Sequence, residues 1–512
     1  MISPRSTPSL AGRLPAHAGR VAIVAAGARF TYRQLDDAAA GVAARLDLAG
    51  AGSTDPEPRV AFWIPPGFEY VAVLLGIWRS GGIAVPLAVS YPPPELEHVV
   101  TDSAPAVVVS SPESLETLGP LAQAACARVI TTPELVGGNR DAAAEPPLSA
   151  EGLDAPARRA LMLYTSGTTG RPKGVVATHA NVTAQITTLV DAWEWTSDDR
   201  TLLVLPLHHV HGIINVVGSS LWAGATCEMM TRFDAEAVWA RLASREITVF
   251  TAVPTIYHRL IESWDAAPKP LRRERSEGCR HVRLMMSGSA ALPIPVLERW
   301  RQISGHTLLE RYGMTEIGMA LANPLHGERL PGFVGDPLPG VDVRIVDDHG
   351  RLVPSGTPGH LEVRGPAVFH EYWRQPDATR NAFRDGWFRT GDVAVSEYGG
   401  YRLLGRASVD IIKTGGYKVS ALEIEDVLRR HPAVADCAVV AVPDAEWGER
   451  VCAAVELRPA ATLKLDELRH WASRQLAPYK VPRDVRCLTG LPRNAMGKVL
   501  KPQVASLFRE AE

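Results

Sequence analysis

The sequence predicts an α/β protein: a large N-terminal domain of helix-flanked β-sheets with a small β subdomain, followed by a small α+β C-terminal domain. Three observations predict this fold. Apolar strands alternate with amphipathic helices over the first part of the chain. Runs of period two, punctuated by Gly and Pro, follow from about Val341. A compact unit with its own α+β pattern begins at Arg406, so we expect domains at 1–405 and 406–512.

The first part of the chain gives clear element signals. Thr31 and Gln34 form a capping-box signature at the start of a helix. That helix carries its apolar residues on one face, and a second, strongly apolar helix runs over about 68–78. The face of the first helix comprises Leu35, Ala39, Val42 and Leu46, and the predicted strands are 21–24, 60–64, 83–86 and 106–109.

The later elements follow from the same patterns. Residues 132–158 are rich in Ala, Pro, Glu and Gly, which indicates a surface connection. A strand is predicted at 161–164, with a glycine-rich loop and then a helix after it. Period-two runs at 341–346 and 360–365 predict the antiparallel subdomain, and the C-terminal helices are predicted at 421–430 and 465–475.

Composition narrows the class of protein. Hydrophobic residues make up 46% and charged residues 21% of the 512, as in an ordinary globular protein. The 54 basic and 56 acidic side chains nearly balance, which argues against nucleic-acid binding and a polybasic membrane anchor. No run of 18 apolar residues predicts a membrane span.

The cysteines and the N-terminus bear on the compartment. The six cysteines form no C-x-x-C pair, so we expect neither a zinc ribbon nor a redox motif. Scattered cysteines are typical of a reducing compartment, and the N-terminus has no apolar signal core. We expect a cytoplasmic protein, or one of an organellar matrix in a eukaryote.

The segment Tyr164–Gly174 has the chemistry of a phosphate site. Its loop, residues 165–174, contains three glycines, which let the backbone approach phosphate oxygens, and four hydroxyl side chains. Lys173 adds a compact positive charge. The spacing does not fit a Walker A loop. The predicted phosphate-binding residues are Thr165, Ser166, Gly167, Thr168, Thr169, Gly170 and Lys173.

This eleven-residue string resembles the signature of adenylate-forming enzymes, a superfamily that includes acyl-CoA synthetases, peptide-synthetase adenylation domains and firefly-type luciferases. The resemblance extends from about residue 20 to 502, with several motifs in the family's order. The further motifs are Leu309–Glu316, Gly386–Asp392, Gly405-Arg406, Gly415–Val419 and Pro492–Lys498.

The resemblance implies a role for each matching residue. Tyr312 would stack on adenine, Thr315 would contact phosphate and Glu316 would hold Mg²⁺, for which a carboxylate is a suitable ligand. Asp392 and Arg406 would bind the ribose, and Lys498 would be the main adenylation residue. Other implied nucleotide contacts are Ser289, Glu310, Arg311 and Gly313, and the implied CoA contacts are Gly415, Gly416 and Tyr417.

The resemblance also implies a two-step reaction with ATP and CoA as co-substrates. A carboxylate attacks the α-phosphorus of ATP to give an acyl-adenylate and pyrophosphate, and a thiol then displaces AMP. The C-terminal domain is expected to be mobile and to rotate about a hinge near Arg406 between the steps. Here the segment from Arg406 is one residue longer than the common R-x-D-D-x-I pattern, so Ser408 and a position near Asp410 are both candidates for the hinge. We expect a monomer or a homodimer.

Three histidines in Leu205–Gly212 invite a zinc interpretation, but no second ligand cluster accompanies them. The string His209–Gly212 is instead similar to that of malonyl-CoA synthetases, as are 286–292, 311–320 and 408–423. A dicarboxylate needs a cation for its distal carboxylate, because an unpaired buried charge is costly. The predicted acid-binding residues are His209, His211, Arg259 and Arg283.

Four hypotheses follow. The first is a malonate–CoA ligase that also accepts methylmalonate. The second is a CoA ligase for another small or medium acid, favoured if both arginines point away from the pocket. The third is a ligase that loads a carrier protein, and the fourth is an inactive nucleotide-binding regulator. The presence of Lys173, Glu316, Asp392 and Lys498 together argues against the fourth.

Overall fold

A computed structural model describes residues 9–46, 48, 57–137, 155–165, 172–415, 417–444, 446–493 and 497–509. Within these residues the chain forms two large sheets, a smaller antiparallel sheet and a C-terminal sheet. The predicted α/β architecture is confirmed. No helix in the described ranges is both long and apolar enough to cross a membrane, and all six cysteines are free.

The nine-stranded sheet is parallel in its centre and antiparallel at both edges. Its central strands supply the loops that build the site, because ligands of open α/β sheets bind beyond the carboxyl ends of the strands. In spatial order its strands are Asp336–Pro337, Gly318–Ala322, Leu309–Met314, Leu284–Ser287, Val249–Ala252, Arg200–Leu203, Thr226–Met229, Val21–Ala25 and Ala28–Thr31.

The seven-stranded sheet contains the first part of the predicted alternation. Its parallel strands lie close to the predicted ranges, and 83–86 agrees at both ends. In spatial order the strands are Glu371–Tyr372, Lys173–Thr178, Arg159–Thr165, Ile83–Pro86, Arg59–Trp63, Val107–Ser110 and Arg128–Thr131.

Helices pack between and around the two large sheets in one shared core. The predicted capping box is present, since the Gln34 N–H donates to Thr31 Oγ1 at 3.2 Å and Gln34 Oε1 accepts the Thr31 N–H at 2.8 Å. Helix Phe68–Arg79 is buried on nearly every side, as expected of an all-apolar helix. The helices of this part are Leu10–Arg13, Tyr32–Leu46, Phe68–Arg79, Pro93–Ser103, Leu115–Ala124, Thr132–Val136, His179–Ala192, Ser219–Ala223, Ala235–Ala243, Pro254–Ala266, Lys269–Cys279 and Ile294–Ser304, with a π-helical segment at His211–Gly218 and short 3-10 turns at Leu14–His17 and Pro112–Ser114.

Two sequence expectations need correction. The stretch predicted as a surface connection begins with a short helix, Thr132–Val136, and residues 138–154 of it lie outside the described residues. The phosphate loop is not followed directly by a helix. Strand Lys173–Thr178 comes first and pairs antiparallel with Arg159–Thr165, because Val175 and Val176 continue the buried β pattern.

The small antiparallel sheet confirms the predicted β subdomain. Its strands are Asp342–Val346, Gly359–Arg364, Phe383–Arg384, Trp387–Glu397 and Gly400–Arg406, with helix Pro376–Asn381 beside them.

Both faces of the C-terminal sheet are buried. Successive residues of a strand point to opposite sides, so neighbouring residues enter different clusters. Val439 packs in the cluster under helices Ala421–Arg429 and Leu465–Ser473, whereas Val440 packs in the cluster under helix Lys501–Leu507. The strands are Ile411–Thr414, Tyr417–Ser420, Val434–Asp444, Gly448–Leu457 and Asp484–Leu488, with a 3-10 turn at Pro478–Lys480. These clusters contain no residue before Ile412, which is consistent with the predicted boundary at Arg406; the boundary itself stays a prediction.

Candidate active site

Polar side chains from several chain segments meet beyond the carboxyl ends of the central parallel strands. His211 opens the π-helical segment that follows strand Arg200–Leu203. Its Nε2 lies 2.9 Å from Thr251 Oγ1, and its Nδ1 lies 3.0 Å from Ser289 Oγ. Ser289 has a positive φ of 69°, a strained conformation that is found most often at functional sites.

Arg311 reaches into the same place from strand Leu309–Met314. Its side chain is buried, and its Nη2 donates to His211 Nε2. Nε and Nη1 have no hydrogen-bond partner among the described residues. Gly288 provides the space for the guanidinium, since a Cβ at that position would overlap Nη1.

The electrostatics of this pair are those of a neutral imidazole beside a buried cation. Burial, and then the charge of Arg311, hold the pKa of His211 well below its usual value. Since Nε2 accepts from Arg311, we infer that Nδ1 carries the proton and donates to Ser289. Burial also lowers the pKa of Arg311, to about 9, so the guanidinium is still charged at neutral pH. A buried cation with unpaired donors is costly, and a ligand carboxylate would satisfy it.

His208 and His209 lie side by side just before His211 in the chain, with ring centroids 4.0 Å apart. Burial lowers the pKa of His209 to about 4, and burial together with His209 lowers that of His208 to about 2. Both imidazoles are therefore neutral at physiological pH. His209 can line the pocket, but it does not supply a positive charge.

Neither of the two arginines predicted to bind the acid is hydrogen-bonded to this cluster in the described residues. Arg259 is exposed on helix Pro254–Ala266. Arg283 forms a two-nitrogen ion pair with Asp199, at 2.7 Å from each carboxylate oxygen, and donates to the Trp193 carbonyl at 3.0 Å. The expectation that Arg283 serves as an open cation for a substrate is wrong, because a carboxylate of the protein already occupies its fork.

The phosphate hairpin contributes Thr165 and Lys173, which face each other at the ends of its two strands. Ser166, Gly167, Thr168, Thr169 and Gly170 lie outside the described residues. Lys173 Nζ lies 4.9 Å from the centroid of the Tyr372 ring. The ammonium group is thus held beside the carboxylate that Tyr372 contacts.

That carboxylate is Glu316, in the turn that also contains Thr315. Tyr372 Oη donates to Glu316 Oε1 at 2.9 Å, whereas Oε2 is buried and has no partner in the described part of the chain. Burial raises the pKa of Glu316, and the Tyr372 hydroxyl opposes this. The described residues contain no cluster of three metal-binding side chains. A single carboxylate with one open oxygen suits Mg²⁺, which takes most of its ligands from phosphates and water.

Asp392 and its neighbours form the next part of the site. Asp392 accepts from Tyr312 Oη at 2.5 Å and pairs with Arg406 Nε at 2.9 Å. Burial raises the pKa of Asp392, and the charges of Arg406 and Lys498 are among the interactions that oppose it. Lys498, from the C-terminal domain, therefore lies on the Asp392 side of the N-terminal domain.

The turn before Lys498 touches the N-terminal domain directly. A Cβ placed on Gly497 would lie 3.7 Å from Thr255 Cγ2, at the start of helix Pro254–Ala266. The C-terminal domain is thus docked with its lysine turn facing the site.

Glu310 and Gly313 flank Arg311 and Tyr312 on the same strand. Glu310 is buried, accepts from the Leu292 N–H at 3.2 Å, and has its pKa raised by burial to about 8. Gly313 cannot be replaced without a clash, because a Cβ would overlap the Gly318 carbonyl.

The predicted CoA loop lies on the C-terminal domain. Gly415 has φ +54°, and a Cβ there would lie 2.9 Å from the Trp447 ring. Tyr417 stacks on Tyr479 with centroids 4.1 Å apart and stays about half exposed. Gly416 lies outside the described residues.

Comparison with known proteins identifies the family. The pattern of the AMP-binding enzyme family matches residues 12–373, and that of the AMP-binding enzyme C-terminal domain matches 423–498. The chain belongs to the AMP-binding enzyme family. The human mitochondrial malonate–CoA ligase is 47% identical, over 99% of this chain and 93% of its own. The family predicted from the motifs is confirmed.

Solved structures show the same relationship. ATP-bound MatB from Rhodopseudomonas palustris is 35% identical and superposes with a TM-score of 0.89, over 98% of this chain and 99% of its own. The apo form of MatB covers the same shares with a TM-score of 0.78. The structure of this AMP-binding enzyme thus superposes better on the ATP-bound form of MatB than on the apo form.

Two residues of the site carried no recognisable signal in the sequence. Thr251 lies in an ordinary strand context, and Tyr372 belongs to a two-residue strand 56 positions after Glu316. Gly288 lies in the string 286–292, which carried the resemblance but no assigned role for this residue. Arg311 was expected at the nucleotide. The structure instead turns its side chain toward His211.

Proposed function

We propose that the protein is an ATP-dependent ligase that joins malonate to CoA through a malonyl-adenylate. The single observation that supports malonate most directly is the buried guanidinium of Arg311, whose Nε and Nη1 have no partner in the described residues. Two unpartnered N–H donors on a buried cation suit the distal carboxylate of a small diacid. The malonate–CoA ligase named above, identical at 47% of positions, supports the same substrate.

His211 shapes this end of the pocket. It is neutral and bonded to Thr251, Ser289 and Arg311, so it holds the guanidinium without adding charge. We infer that His211, held against Thr251 and Ser289 beside the guanidinium, favours a short acid whose two carboxylates are close together. Acceptance of methylmalonate stays a prediction.

The first half-reaction brings two anions together, so catalysis should rest on positioning and charge neutralisation. Lys173 and Lys498 provide the cations from opposite domains, and we assign a phosphate contact to Thr315. Asp392 accepts the ribose hydroxyls, with Tyr312 and Arg406 fixing its orientation. Mg²⁺ held by Glu316 would neutralise phosphate charge when bound.

The second half-reaction requires CoA at the site. The thiol attacks the acyl carbon, the bond to AMP breaks, and the thiol proton is released. We assign Gly415, Gly416 and Tyr417 to the pantetheine path. In the structure Gly497, next to Lys498, lies close to Thr255, and we infer that the domain rotates between the steps to bring the predicted CoA loop to the site.

A ligase for a neutral acid is the second candidate, since Arg283 is paired with Asp199 and Arg259 is exposed on its helix. Arg311 argues against it, because a neutral acid would leave its charge unpaired.

The test is purified protein with ATP, Mg²⁺ and CoA, in which AMP release is followed with malonate, methylmalonate, succinate, acetate and butyrate. We expect malonate to give the highest kcat/KM. Lys498→Ala should lower malonate-dependent pyrophosphate release by about 100-fold or more. No AMP release with malonate, beside release with a neutral acid, would reject the substrate proposal.

A further inference from the structure

A chain of ion pairs crosses the C-terminal domain and ends at the lysine turn. It begins at Lys501, whose Nζ lies 2.5 Å from Asp410 Oδ1 and 2.7 Å from Glu425 Oε1. All three side chains are largely buried, with 12%, 14% and 4% of their surface exposed. Groups so withdrawn from water have few alternative geometries.

The chain continues through Arg429. Glu425 Oε2 accepts from Arg429 Nη2 at 3.2 Å, and Arg429 Nε pairs with Asp436 Oδ1 at 2.9 Å. Asp436 Oδ2 then pairs with Arg493 Nη2 at 2.5 Å. Three cations thus alternate with three carboxylates, and Asp426 adds a longer contact to Arg429 at 3.8 Å.

Arg493 connects this network to the turn that presents Lys498. Its Nη1 donates to the Gly497 carbonyl at 2.9 Å, one residue before the lysine. Its backbone bridges Val499 across the turn, and the Leu500 N–H donates to the Pro492 carbonyl at 2.8 Å. Arg493 therefore contacts Gly497 and Val499, the residues on either side of Lys498, while its ion pair with Asp436 orients the guanidinium.

The other end of the network reaches the nucleotide side. Asp410 Oδ2 accepts the Arg406 N–H at 3.0 Å, and Arg406 Nε pairs with Asp392 at 2.9 Å. The lysine turn and the ribose-binding pair are thus both joined to Asp410. The inner ion pairs of the network are buried, and buried ion pairs contribute little net stability but can enforce one geometry among several. The outer pair is more exposed, at 31% for Arg493 and 26% for Asp436, so the orientation of Arg493 depends on its contacts with both Asp436 and the Gly497 carbonyl.

We propose that Arg493, oriented by Asp436, is a positioning residue that holds Lys498 over the nucleotide for the adenylation step. The inference rests on the proposed function only in that Lys498 acts in the first half-reaction. Once the domain rotates, the lysine turn leaves the site, so the same brace has no part in thioester formation.

The test separates the two half-reactions with whichever acid the wild-type protein activates, so that it does not depend on malonate. Acid-dependent exchange of pyrophosphate into ATP measures the first step. Release of AMP from a chemically prepared acyl-adenylate and CoA measures the second. The variants are Arg493→Gln, Arg493→Lys and Asp436→Asn. The matched control is Arg380→Gln, which removes an exposed ion pair with Asp377 on the β subdomain.

We expect Arg493→Gln to lower kcat of the exchange by roughly 10- to 100-fold, as for other misplaced catalytic groups, with KM for ATP nearly unchanged. Thioester formation should stay at the wild-type rate. Asp436→Asn should reproduce the effect more weakly, and Arg493→Lys should restore part of the exchange because it keeps the charge without the fork. Equal losses in both half-reactions, or an exchange rate like that of the control, would overturn the proposal. Failure of the proposed substrate would instead appear in the wild-type protein as an absence of malonate-dependent exchange.

Discussion

Replacing Arg311 with methionine removes a buried cation that has two unpartnered donors and lies beside His211. Methionine fills a similar volume with an unbranched, adaptable chain, so the change deletes charge and hydrogen bonds with little change in packing. In the wild type Nε and Nη1 are the unpartnered donors, and Nη2 is already shared with His211. The variant therefore leaves the distal carboxylate of malonate buried and unpaired.

The magnitude follows from what an unpaired buried charge costs. Removing one partner of a buried pair is unfavourable by about 3–5 kcal/mol. At 1.36 kcal/mol for each tenfold change, this corresponds to a loss of roughly 100- to 5,000-fold in kcat/KM for malonate. Butyrate has no distal charge, so its kcat/KM should stay level or rise. The measurement is continuous AMP release at saturating ATP and CoA with each acid.

Arg283→Met is the matched control. It breaks the pair with Asp199 and leaves a buried carboxylate without its partner, so it should lower thermal stability. It should not change the ratio of malonate to butyrate activity. The reasoning is refuted if Arg311→Met keeps the malonate preference, or if Arg283→Met loses it.

Three further predictions concern neighbouring groups. Gly288→Ala should push Nη1 of Arg311 aside and raise KM for malonate by about tenfold, with KM for ATP unchanged, which initial rates over both substrates will show. Tyr372→Phe removes a hydrogen bond that favours ionised Glu316, so the acid limb of kcat/KM for ATP should move to higher pH; a limb that does not move contradicts this assignment. Glu310 has a folded pKa of about 8 against 4.5 for an ordinary glutamate, so the folded state binds the extra proton between these values and wild-type stability should fall as pH rises through them. Denaturant unfolding of Glu310→Gln should lack this slope, which is at most about 1.4 kcal/mol per pH unit.

Local signals in the sequence were enough for most of the fold. The capping box at Thr31 and the strand at 83–86 depend on residues close together in the chain, and both are present as predicted. The helix predicted directly after the phosphate loop failed because Val175 and Val176 pair with a strand that precedes the loop. The pairing of these two strands depends on contacts across the loop, and the helical spacing of the apolar residues after Val182 does not reveal it.

The acid end of the site shows why the remainder could not be predicted. Arg283 and Arg311 are both arginines on or beside sheet strands, and sequence alone does not distinguish their roles. What separates them is the location of a carboxylate. Asp199 lies 84 positions before Arg283 and occupies its fork, whereas the described hydrogen-bond partners of the Arg311 side chain are the neutral groups of His211 and Thr251, 100 and 60 positions away. Selectivity therefore depends on pairings between distant segments.

The segment after Arg406, which is one residue longer than the common pattern, also depends on such pairings. Ala407 is tied to the N-terminal domain, because its N–H donates to the Gly391 carbonyl at 2.9 Å. Asp410 is tied to the C-terminal domain, because its carboxylate pairs with Lys501 and its carbonyl accepts the Ala421 N–H at 2.8 Å. A rotation that preserves both attachments must take place in the two residues between them. Of the two hinge positions that the sequence allowed, the geometry thus favours Ser408, and we infer that the rotation breaks the turn hydrogen bonds that join Arg406 to Val409 and Asp410.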